Sequence, residues 1–153
     1  MDVYERLKEL GLTLPEPPKK GGVYSPAKLL PDGTLYISGC GPNIGEAVSG
    51  KLGIDYTIEE GAFFAQNCML NILAVAEAKI GDLNRIVDCV KLLVLVAGTA
   101  DFYAQPQVAN GASSLLVSLY GQTKGEPARS AIGVNALPGN IPVEIEAIFR
   151  VGD

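Results

Sequence analysis

Apolar positions change period several times along this chain, and each change predicts an element. Asp2 and Glu5 read as a capping box ahead of Val3, Leu7 and Leu10 at helical spacing, and Gly11 ends that short helix. Pro15, Pro17 and Pro18 then force an extended strap. Val23 to Leu30 and Thr34 to Ser38 read as strands joined at Asp32-Gly33, a pair suited to a tight turn. The glycine-rich stretch from Gly39 to Tyr56 reads as a loop. Thr57 and Glu60 open a second helix of about six turns that Gly81 closes; its apolar residues, among them Phe64, Met69, Ile72 and Leu73, cover most of the circumference. Such a helix is buried against both a sheet and a neighbour.

Ile86 to Ala97 follows as a strand, and the run Leu92–Val96 is apolar on both faces, which suits a central position. Gly98 to Gln107 reads as a loop and Val108 to Tyr120 as a third helix, with Leu115, Leu116 and Leu119 on one side. Arg129 to Ala136, a turn at Leu137 to Ile141, and Pro142 to Val151 read as a closing hairpin. The expected order is hairpin, helix, strand, helix, hairpin. This is an α+β arrangement with helices on one face of a sheet. Residues 1–20 form the helix and strap, and residues 21–153 a single domain without internal repeats.

Composition narrows the chemistry. At 153 residues and 48% hydrophobic, the chain can bury a core without disulfides, and its three cysteines make no disulfide framework. It has no histidine, which removes Ser-His-Asp and Cys-His catalysis and nearly excludes the common zinc sites. No metal or cofactor is expected. The net charge of -5 opposes phosphate backbones, and the Lys19-Lys20 doublet reads as a solvated loop, so no nucleic-acid partner is expected. The charged N-terminus lacks a secretory pattern, and the apolar stretches around Ala62–Ala76 and Leu92–Ala97 are too short or too interrupted to span a bilayer. The default is a cytoplasmic protein without a membrane partner.

Candidate chemistry concentrates on the strand after Pro127. Alternation puts Ser130, Ile132, Val134 and Ala136 on one face, which looks core-like, and Arg129, Ala131, Gly133 and Asn135 on the other. Small neighbours leave space before the Arg129 guanidinium, whose planar fork suits a carboxylate. A structural ion pair with an acid on an adjacent strand is the alternative, equally compatible with the spacing. On the last strand Val143, Ile145, Ala147 and Phe149 face the core, while Glu144 and Glu146 face away, as solvent-side residues, as partners of Arg129 or as groups that orient a water. Glycines flank Cys40 in Ser38-Gly39-Cys40-Gly41-Pro42 and allow close backbone approach. A thiol there is either activated by a nearby cation or a small space-filling residue.

Three segments together resemble one family. Pro127-Ala128-Arg129-Ser130, Leu137-Pro138 and Val143–Ile148 are similar to the C-terminal signature of the Rid family, also called YjgF-like or L-PSP endoribonuclease-like. Ser38-Gly39-Cys40-Gly41-Pro42 resembles its Ser-Gly-Gln-x-Pro strand end, and Tyr24 stands where the family has a tyrosine after its first glycines. The resemblance implies a chorismate-mutase-like α+β fold, a homotrimer with clefts between subunits, and hydrolysis of small 2-imino acids, reached from enamines, to 2-keto acids and ammonia. It implies that Arg129 holds the substrate carboxylate, that Glu144 serves the attacking water, and that Tyr24, Ser38 and Cys40 line the cleft. Asn110 is similar to an asparagine before the family's second helix. Non-catalytic binding of small carboxylates and ribonuclease or translation-inhibitor activity are the other functions the resemblance carries. Cys40 replaces the usual glutamine, Ala131 replaces the cysteine common in deaminating members, the stretch from Asp101 to Arg129 is longer than in the smallest members, and the N-terminal strap is extra.

Overall fold

A computed structural model of the chain describes residues 2–153. The first helix, α1 (Val3–Glu9), is capped by the Asp2 carboxylate, which accepts from the Tyr4 and Glu5 N–H groups. Val3 and Leu7 enter the core, and the Leu83 N–H donates to Tyr4 Oη at 3.0 Å, so the N-terminal segment is docked. The first strand, β1 (Ala27–Leu29), is shorter than the expected Val23 to Leu30. Pro26 offers no N–H for a ladder, although its carbonyl accepts from Ser38. The next strand, β2 (Thr34–Cys40), follows Gly33 at φ 89, and α2 (Ile58–Ile80) carries the reciprocal Thr57–Glu60 capping box and ends at Gly81, φ 85. The remaining elements are β3 (Ile86–Ala97), α3 (Gln105–Gly125, kinked at Gly121), β4 (Ala128–Val134) and β5 (Val143–Val151).

The five strands lie in the order β1-β2-β5-β3-β4. All neighbours are antiparallel except β3 and β4, which run parallel through the α3 crossover. The expected closing hairpin is therefore absent. After the 3₁₀ turn at Pro138–Asn140, β5 crosses past β3 and inserts between β3 and β2. A turn-like linker reports only that the chain reverses, not which strand it rejoins.

The helices α2 and α3 cover one face of the sheet. Beneath them Leu35, Leu92, Val94, Val96, Ile145 and Phe149 are buried with Met69, Ile72, Leu73 and Leu116. Each such side chain contributes about 1.5–3 kcal/mol by leaving water. Two glycines let the helices meet. A methyl on Gly111 would run into the Ala62 carbonyl, and one on Gly61 would meet Leu52 and Val108. The other sheet face carries no helix. It exposes Tyr36 and Ile132, 47% and 46% accessible, among half-buried Leu93, Leu95 and Ile148. Among the described residues, no helix is long and apolar enough to cross a membrane.

Candidate active site

Arg129 stands near the start of β4, one of the two edge strands, in register with Leu92 of β3. Leu92 is a core residue, so Arg129, Ala131 and Gly133 point toward the helix layer. Ser130, Ile132 and Val134 occupy the helix-free face. This reverses the face assignment expected from sequence. Alternation fixes which residues share a face, and apolar content misidentified the inner one because the helix-free face is itself rich in apolar residues.

The space before Arg129 is an open groove bounded by α3, which its guanidinium reaches. Its Nη1 donates to Asn110 Oδ1 at 2.8 Å and to Ser113 Oγ at 3.2 Å. These two residues lie one helical turn apart and so share a face. Among the described residues no carboxylate lies within ion-pairing distance of Arg129, the sole such pair being Arg6–Glu9 at 3.5 Å. The structural ion pair is therefore not formed. The Nε–Nη2 edge of the fork donates to nothing among the described residues, and the side chain borders a groove of about 900 Å³ between α3 and β4, walled by Asn110, Ser113, Ser114, Ser118 and Gln122. A planar donor edge without a counter-ion has the geometry to accept a carboxylate through two parallel hydrogen bonds.

Tyr24, Ser38 and Cys40 gather at the other side of the sheet, around a smaller cleft of about 160 Å³ that the strap residues Pro18, Lys19 and Lys20 also line. Tyr24 Oη accepts from the Gly21 N–H at 3.1 Å, and Ser38 Oγ donates to the Ser25 carbonyl at 2.7 Å. The pairing of β2 with β5 slips between Ile37 and Cys40, and this bulge turns the Cys40 side chain into the core. Burial, with Glu144 adding to it, pushes that thiol up to about 12. It is a space-filling group and not an activated nucleophile, so the cleft is left with the backbone around Cys40.

Glu144 approaches the same strand end. A methyl on Gly39 would lie 2.7 Å from Glu144 Oε1, so the glycine makes room for the carboxylate. Burial, and then Glu146, raise the Glu144 pKa above its ordinary value.

Within one chain these groups form two separate sets. Ser38 and Arg129 are three inter-strand steps apart, roughly 14 Å at about 4.8 Å per step. Glu144 registers with Leu95 and Arg129 with Leu92, on opposite faces and two strands apart. Two contributors escaped the sequence reading. Ser113 was legible in principle as the residue one turn beyond Asn110. Asn71, buried within the apolar run of α2, donates to the carbonyls of Gly41 and Asn43 at 2.9 and 3.0 Å and fixes the loop that closes the Tyr24–Ser38 cleft. A lone amide in such a run was its only signal.

Known proteins share both the arrangement and the sequence. A protein of unknown function, Atu1372 from Agrobacterium tumefaciens, is 38% identical, with 99% of this chain and 92% of that one covered at a TM-score of 0.89. A Shewanella oneidensis structure with an endoribonuclease designation is 27% identical, with 99% and 100% covered and a TM-score of 0.94. RidA from an Antarctic Psychrobacter is 31% identical over 89% of this chain and 94% of its own, at a TM-score of 0.58. The model of the family Endoribonuclease L-PSP matches residues 15–151, which takes in the Tyr24–Ser38 cleft, Arg129 and the whole sheet. The chain therefore belongs to the L-PSP family of endoribonuclease-like proteins, the YjgF or Rid family.

Proposed function

We propose that the protein hydrolyses small 2-imino acids to 2-keto acids and ammonia, at a site completed by two copies of the chain. The observation that carries this reading is the unpaired edge of the Arg129 guanidinium, held in place by Asn110 and Ser113 at the floor of a groove. A carboxylate gripped there presents its neighbouring imine carbon in a fixed orientation. Water then adds its oxygen to that carbon while a proton passes to nitrogen, and collapse of the adduct expels ammonia and leaves the carbonyl. The carbon is already electrophilic, so the reaction needs placement and modest proton handling more than a strong nucleophile. A chain without histidine can supply both. Glu144, with its raised pKa, is suited to take a proton from water and return it.

The shared site follows from the separation of the two sets. A three- or four-carbon acid cannot bridge roughly 14 Å, so Arg129 of one copy and Tyr24, Ser38 and Glu144 of the next form the working cleft. Two features favour association as a closed homotrimer: the uncovered sheet face around Tyr36, Leu93 and Ile132, and an edge strand at each side of the sheet. The test is to generate 2-aminoacrylate enzymatically and follow the decay of the derived imine. Acceleration by the wild type that survives in Arg129→Ala refutes the role given to Arg129.

Ala131 favours a second reading, a non-catalytic binder of small carboxylates, because it places no thiol beside Arg129. Retained affinity for 2-keto acids without imine turnover selects that reading. The endoribonuclease designation of relatives has less support in this chain, with its net charge of -5 and its lack of histidine. RNA cleavage that persists in Arg129→Ala identifies a contaminant.

A further inference from the structure

We infer that Lys19 and Lys20 form a subsite for a second carboxylate, so that the preferred acid is a dicarboxylic one. The inference rests on the shared site proposed above and adds its substrate class. Sequence alone made this doublet a solvated loop. In the structure both residues line the cleft that also holds Tyr24 and Ser38. Three observations turn a surface doublet into a selectivity element.

The strap that delivers it is stiff. Pro15, Pro17 and Pro18 fix its backbone, and the Gly21 N–H donates to Tyr24 Oη, so the end of the strap is tied to the aromatic wall of the cleft. The backbone that presents the two ammonium groups therefore needs little ordering when a ligand arrives. Both ammonium groups are also uncommitted. Among the described residues neither has a carboxylate within 4.0 Å, although acidic residues outnumber basic ones by 17 to 12. Finally, the charge balance asks for them. A dianion approaching a chain of net charge -5 is repelled, and one arginine compensates only one of its carboxylates. In the shared site proposed above, Arg129 of one copy takes the carboxylate beside the oxo group, and the Lys19–Lys20 doublet of the next copy is left for a second carboxylate. A monocarboxylate would leave that doublet unused.

The experiment compares binding of 2-oxoglutarate and 2-oxopentanoate, which have the same chain length and differ by the terminal carboxylate. Calorimetry is run on the full chain at low ionic strength, for the wild type, the double variant Lys19→Ala/Lys20→Ala, the charge-reversed Lys19→Glu/Lys20→Glu, and Arg129→Ala. The wild type is expected to prefer 2-oxoglutarate about fivefold to tenfold, a preference that shrinks as salt is added. The double alanine variant should bring the two acids close to parity, and charge reversal should invert the order. Arg129→Ala should weaken both acids. Equal binding by the wild type, or a preference that persists in the charge-reversed variant, overturns the inference while the role of Arg129 stands. Indifference of both acids to Arg129→Ala overturns the carboxylate-binding reading beneath it.

Discussion

Asn110 and Ser113 occupy Nη1 of Arg129 and leave the other edge of its guanidinium without a partner among the described residues, the edge to which the proposed carboxylate would bind. Removing the guanidinium should cost two charge-assisted hydrogen bonds, which corresponds to a loss of about 100-fold or more in kcat/KM for imine hydrolysis. Asn110→Ala should cost less, about 5-fold to 10-fold, since it frees the fork without removing it. Steady-state assays of the two variants separate these roles. Glu144 makes a prediction of the opposite kind, about stability. Its folded pKa lies above the ordinary value of 4.5, so between those two values the native state binds more protons than the unfolded state. Stability contributed by the neutral carboxyl is present below 4.5 and is lost as pH rises through the folded pKa. Glu144→Gln should therefore melt higher than the wild type near neutral pH, and the gap should close in acid. Thermal melts across that range measure it. The cysteines give a simple check on burial. Burial holds Cys40 and Cys89 up to about 12 and Cys68 higher than its usual range, so a thiol reagent at neutral pH should find no fast-reacting group until denaturant is added.

The contact between α2 and α3 is set by absent side chains. Gly111→Ala should destabilise the fold by about 1–3 kcal/mol or more, read as a lowered denaturation midpoint with an unchanged slope, because the added methyl meets backbone that cannot step aside. Elements defined by strong local chemistry were legible in the sequence. The Thr57–Glu60 box and Gly81 bound α2 as expected, and β3 occupies the span its apolar run implied. Strand pairing was not legible, because register and neighbours are decided by long-range packing. Thus β4 lies parallel to β3, although its linker to β5 looks like a hairpin turn. The same limit explains the site. Arg129 could be singled out by its small neighbours, but the direction it faces depends on where α3 lies. Cys40 lines the cleft without offering it an activated thiol, because a bulge in β2, invisible to strict alternation, turned its side chain into the core.

At the scale of the whole molecule, the Arg129 groove and the Tyr24–Ser38 cleft lie at opposite sides of the sheet, so complementation is a direct test of the proposed sharing between copies. Chains carrying Arg129→Ala and chains carrying Ser38→Ala should each be impaired, and co-refolding them in equal amounts should restore about a quarter of the sites, since each interface draws one half from either chain. A mixture no more active than its parents means that each chain works alone. The position of β5 has a further consequence, for the order in which the protein can be made. Of the five strands of this sheet, the one synthesised latest is the one that joins β2 to β3, so until it emerges the nascent chain holds two sheet fragments with no strand between them. Chains stalled or truncated before Val143 should therefore remain protease-sensitive along their whole length and aggregate, and protection should arrive in one step once β5 has emerged.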